Sequence, residues 1–168
     1  MTFLRSALLL LLGASLLSGC GYRVAGMKRD VAGKTVEISI FANKSYRPNI
    51  EATLTDMIID EFVKREEGRV VNAGGELVVS GAVLSYGTTA VSYTATDTVK
   101  EYRASITADV VLRRKDTGRV QWKGTLSATQ DFPANDDLVL QQNSEDTAIR
   151  EICRKLARDL YLNLVEDF

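Results

Sequence analysis

The chain is 168 residues long, with 21 Lys and Arg against 22 Asp and Glu, 45% apolar side chains and no histidine. That is the size of one ordinary domain, and the composition is globular rather than disordered. The near-neutral balance offers no broad basic field for nucleic acid, and the missing histidine excludes Ser-His-Asp and Cys-His nucleophiles, imidazole-bound zinc and His proton shuttles.

The first nineteen residues read as an export signal. Arg5 is the positive start, and Ala7 to Leu17 form an apolar stretch that includes the run Leu8–Leu12. This is shorter than the ~20 residues of a spanning helix, and it ends in small residues. Leu17-Ser18-Gly19-Cys20 has the form of a bacterial lipobox: an aliphatic residue, two small ones, then cysteine. That chemistry attaches diacylglycerol to the Cys20 sulfur, cuts before Cys20 and in many bacteria acylates the new amine. Two or three chains anchor a protein that does not itself span the bilayer. Gly21-Tyr22, with no Asp after the cysteine, resembles the outer-membrane sorting pattern of Gram-negative lipoproteins. Cleavage leaves 149 residues of net charge −2.

Residues 20–34 read as a lipidated tether and 35–168 as one α+β domain. Lys34–Phe41 alternates, with Val36, Ile38 and Ile40 on one face, and predicts a strand. Pro48 is suited to the first position of a helix, and Ile50, Leu54, Met57, Ile58 and Phe62 carry helical spacing to about Glu67, with Gly68 as the stop. Leu77, Val79, Gly81 and Val83 begin a second strand, apolar on its other side too through Val78, Leu84 and Tyr86. Tyr102, Ala104, Ile106, Ala108, Val110 and Leu112 form the inward face of a third strand. The turn Lys115–Gly118 leads to a fourth, with Val120, Trp122, Gly124, Leu126 and Ala128 inward. Ala134–Asn143 reads as a loop and Ser144 as the N-cap of a last helix, whose stripe is Ile149, Ile152, Cys153, Leu156, Leu160 and Leu164.

The expected order is β-α-β-β-β-α: two helices on one face of a four-stranded, mostly antiparallel sheet. The other face collects Ser39, Ser80, Ala82, Ser105, Thr107, Thr125, Ser127 and Thr129. It is either solvated or meets a partner. The Gly87–Val99 segment, bearing Tyr93 and several threonines, is a candidate projecting hairpin.

Little points to catalysis. Asp131, Asp136 and Asp137 fall in one loop and Glu101 and Asp109 on one strand, but nothing forces a catalytic spacing. Cys153 lies on the apolar stripe as a small core residue. No phosphate-binding glycine motif and no metal or cofactor set is present; the only expected attachment is the acyl modification of Cys20.

The start Cys20-Gly21-Tyr22, the strand end Phe41-Ala42-Asn43, the segment Pro48-Asn49-Ile50-Glu51-Ala52-Thr53-Leu54, Glu101-Tyr102 and Gly118…Trp122-Lys123-Gly124 together resemble the LPS-assembly lipoprotein family LptE. The resemblance implies two helices on a four-stranded sheet and a non-enzymatic outer-membrane role. The domain would plug the lumen of the LptD β-barrel, help it assemble, and assist lipopolysaccharide insertion into the outer leaflet. Barrel lumens are polar, so a hydroxyl-rich face suits a plug. Tyr93, Ser105, Thr107, Thr125 and Ser127 are the candidate barrel contacts. Segments 90–97 and 138–143 contain no Lys or Arg, which leaves Lys100, Arg103, Arg113, Arg114, Lys115 and Lys123 as candidate phosphate contacts. The alternative is a periplasm-facing lipoprotein adaptor of another machine, either a peptidoglycan-synthase activator or a secretion-channel component.

Overall fold

In the computed structural model, residues 33–166 are described; the expected signal segment, Cys20 and most of the tether lie outside them. The elements are β1 (Val36–Ile38), β2 (Ala42–Asn43), α1 (Ile50–Arg65), β3 (Val70–Val71), β4 (Leu77–Tyr93), β5 (Val99–Arg114), β6 (Val120–Pro133) and α2 (Leu138–Glu166). The sheet is mixed and has six strands, ordered β3-β1-β4-β5-β6, with β2 also pairing β4.

The expectation of four mostly antiparallel strands is therefore corrected. β1 runs parallel to β3 and β4, and β2 runs parallel to β4. The cause is α1, which lies between β1 and β4 and returns the chain to the end where it started, so the flanking strands must be parallel. Only β4-β5-β6 is an antiparallel meander.

The first expected strand is broken. Val36 is buried, but Ile40 is 79% exposed and Phe41 takes the core position. Phe41 turns inward because its ring has a seat: a Cβ on Gly81 would lie 2.5 Å from that ring and 2.3 Å from the Asp109 carbonyl oxygen. The Phe41 N–H donates to the Thr55 hydroxyl on α1, which pins the kink to the helix.

In β4 the pairing slips by one residue between Val83 and Ser85. This bulge reverses the alternation, so Tyr86, expected opposite Val83, points into the core. Its hydroxyl donates to Glu145 at 2.5 Å, and Arg47 bonds Asp146 at 2.7 Å. Through Glu145 and Asp146, α2 is thereby tied both to β4 and to the chain before α1. Burial above all, then the bond to Glu145, raises the Tyr86 phenol pKa.

Both helices differ at their starts. Pro48 is not the first residue of α1, which starts at Ile50 after Asn49, a residue in the left-handed region at φ 68° and without a side-chain cap. α2 begins six residues before Ser144, because the Asp137 carboxylate accepts from the N–H groups of Val139 and Leu140. As expected, both helices bury their stripes on one sheet face. Leu54, Ile58, Ile152, Leu156 and Leu160 meet Val79, Ile106 and Leu112 in one core.

Candidate functional site

The helices cover one sheet face and leave the other open. On β5 and β6 alternation sends the inner set, Ala104, Ile106, Ala108 and Val110, into the core. The opposite set is hydroxylic, and the ladder aligns it: Ser105 with Thr129, Thr107 with Ser127, and Asp109 with Thr125. Thr107 Oγ1 and Ser127 Oγ lie 3.2 Å apart, and Thr125 Oγ1 donates to Asp109 Oδ1 at 2.5 Å. The Ser105 hydroxyl donates to the Gly87 carbonyl at 3.4 Å. Ser105, Thr107, Thr125 and Ser127 thus form one cross-strand patch.

At the Arg103 end of the patch the charge is matched locally. Arg103 donates two hydrogen bonds, of 2.7 and 2.8 Å, to the Asp131 carboxylate. Those bonds hold the Asp131 carboxyl below its ordinary range. Tyr93, at the far end of β4, is exposed. The expected projecting hairpin is a paired ribbon almost to its tip, with Tyr93 opposite Val99 and only residues 94–98 turning.

The candidate phosphate contacts do not converge. Lys100 and Arg103 stand at one end of β5 and Arg113 and Arg114 at the other, about ten residues or ~33 Å further along the strand. Arg114 is bonded to Asp116, and Lys115 reaches Glu37 Oε2 at 2.8 Å. Arg113 and Lys123 lie at that same end of the open face, where Lys123 is paired with Val111. These two exposed cations form no ion pair among the described residues.

Four of the five acids considered for catalysis have structural uses: Asp137 caps α2, Asp131 pairs Arg103, Glu101 accepts from Ser92 and Asp109 accepts from Thr125. Cys153 is fully buried, and burial pushes its thiol up to about 12. Among the described residues no group of three Cys, Asp or Glu is placed to hold a metal. Sequence reasoning missed the apolar start of α2, where Leu138, Val139 and Leu140 are all exposed. Helical periodicity gave no cue, since this turn faces away from the core; Asp137 followed by apolar residues was the available cap signal.

The sequence from 33 to 164 matches the family described as LptE: Lipopolysaccharide-assembly. The chain belongs to the LptE family. It is thus a lipopolysaccharide-assembly lipoprotein of the bacterial envelope, in a family without enzymatic function. No curated protein sequence matches. Similar folds occur among solved structures. Rare lipoprotein B from Shewanella oneidensis aligns at TM-score 0.51 and 14% identity, over 74% of this chain and 92% of that one. The PelC dodecamer subunit from Paraburkholderia phytofirmans aligns at 0.54 and 15%, over 78% and 87%. A protein from Caulobacter crescentus aligns at 0.53 and 11%, over 77% and 86%. At these identities the likeness is one of fold.

Proposed function

We propose that this chain, lipidated at Cys20 and anchored in the outer membrane of a Gram-negative bacterium, plugs and helps assemble an LptD-like β-barrel. In that position it assists insertion of lipopolysaccharide into the outer leaflet and catalyses no reaction. The observation that carries this reading is the open β5–β6 face, with its aligned hydroxyls and its locally matched Arg103–Asp131 pair. A polar lumen wall can hydrogen-bond these hydroxyls, and the Arg103–Asp131 pair adds no net charge beside them. Ser105, Thr107, Thr125 and Ser127, with Tyr93 at the rim, are the proposed barrel contacts.

Anionic lipid would meet the domain at a charged end of the ribbon. Of the six basic residues, Arg113 and Lys123 are the better placed, since they share the open face and carry no competing ion pair among the described residues. Depleting the protein in cells tests the reading. Lipopolysaccharide should fail to reach the cell surface while its synthesis continues; unchanged surface delivery would refute it.

A further inference from the structure

Among the described residues the sheet ends at β6, a fourteen-residue strand with no strand on its outer side. Edge strands are normally short, charged, interrupted or covered, because their free N–H and C=O groups recruit other strands. Here the outward backbone groups can be assigned. The Ala134 N–H donates to the Lys100 carbonyl, so the even positions of β6 bond β5. By alternation, Thr125, Ser127, Thr129 and Asp131 turn their N–H and C=O groups to the open edge. Two of these carbonyls are held by side chains. Lys155 Nζ donates to Thr129 O at 2.8 Å and to Gln130 Oε1 at 3.0 Å, and the Gln130 amide donates to Asp131 O at 3.0 Å.

Alongside this edge, between β6 and α2, runs a groove of two adjoining parts that share Glu151. One part, about 330 Å³, has an apolar wall of Phe132, Pro133, Leu140 and Ala148 and a polar rim that includes Asn143 and Thr147. The other, about 520 Å³, is lined by Ala128 and by Arg154, Lys155 and Arg158, with Glu151 and Asp159. Arg154 is paired with Glu151, which leaves Lys155 and Arg158 as the cations facing the groove.

We infer that the β6 edge docks an extended segment of a partner polypeptide, which adds a strand to the sheet and sets an apolar and an acidic side chain into the two halves of the groove. A strand laid beside β6 places alternate side chains on the α2 side, opposite Ala128, Gln130 and Phe132. The position opposite Phe132 meets the apolar half, close to exposed Leu140. The position opposite Ala128, four residues and ~13 Å away, meets Lys155 and Arg158. Lys155 then exchanges the Thr129 carbonyl for the incoming carboxylate, which frees the edge. A second copy of this chain is the poorer occupant, because its own β6 would bring Gln130 and Ala128, not an acid, to these cations. The edge uses the backbone groups of Thr125, Ser127 and Asp131, whereas the barrel reading uses their side chains, so the inference does not rest on that reading.

The test uses the full chain in detergent micelles and two nine-residue threonine-rich peptides. Each carries Leu at one position and, four residues away, either Asp or Lys. Amide exchange at Thr125, Ser127, Thr129 and Asp131 reports docking. The Asp peptide should slow exchange at these four amides and bind at least tenfold tighter than the Lys peptide. K155E should reverse that preference. Ser127→Pro, which removes an outward N–H but no bond to β5, should abolish docking while leaving the circular dichroism unchanged. Protection by neither peptide, equal binding of both, or a K155E variant that self-associates through β6 without binding peptide would overturn the inference. The last outcome would make Lys155 a guard against aggregation only.

Discussion

Arg103 and Asp131 face each other across the β5–β6 ladder, joined by two hydrogen bonds on a surface the helices do not cover. Exposed pairs of this kind add little to stability, so the consequence of the pairing lies in what the face presents to a partner. Arg103→Ala should leave the thermal midpoint nearly unchanged but reduce recovery of the barrel partner severalfold, because Asp131 then meets the partner uncompensated. The double variant Arg103→Ala with Asp131→Ala should recover most of the loss. Quantitative co-purification from solubilised membranes makes the comparison; equal recovery of wild type and single variant would remove the pair from the interface.

Gly81 sets the geometry of the sheet's other half. A methyl group there would collide with the Asp109 carbonyl and the Phe41 ring, whereas one at Gly87 would meet only the Ser105 hydroxyl at an ordinary 3.7 Å. Gly81→Ala should cost about 3 kcal/mol, at the upper end of overpacking penalties, and Gly87→Ala about 0.5 kcal/mol or less. Denaturant unfolding of the two variants checks the difference, and equal midpoints would contradict the seating of Phe41.

Stability should fall at both ends of the pH range. Hydrogen bonds from Arg114 hold Asp116 near about 2, and those from Lys115 and Arg103 lower Glu37 and Asp131. These groups lie lower folded than unfolded, so their contribution is present above the ordinary carboxylate range and is lost as pH falls toward 2. Cys153 is the opposite case. Its thiol is raised from 9.0 to about 12, so the unfolded chain loses its proton first and stability declines as pH rises from 9 toward 12. Native protein at pH 8 should resist thiol reagents and react stoichiometrically once unfolded. Rapid labelling without unfolding would contradict the burial of Cys153.

Much of this was legible in the sequence, for a physical reason. Ala104 to Leu112 on β5 and Ile149 to Leu164 on α2 bury one strict face each, so period alone located them. Failures came where a single contact overrode the period: Phe41 over Gly81 displaced Ile40, and the bulge after Val83 turned Tyr86 inward. Parallel pairing of β1 and β2 with β4 followed from the intervening helix, but strands of three and two residues are too short to show a pattern. For the candidate site, alternation grouped Ser105, Thr107, Thr125 and Ser127 correctly. The basic residues were separated by strand length and partly engaged by Asp116 and Glu37, neither of which any local spacing reveals.

The central claim, that the hydroxyl face of β5 and β6 meets a β-barrel, is tested most directly by photo-crosslinking from that face in living cells. Crosslinkers placed singly at Thr107, Thr125 and Ser127 should each capture one large outer-membrane β-barrel, and controls at Asp56 or Arg150 on the helices should capture it weakly. Capture of a penicillin-binding protein instead, or of the barrel from the helices alone, would contradict the account.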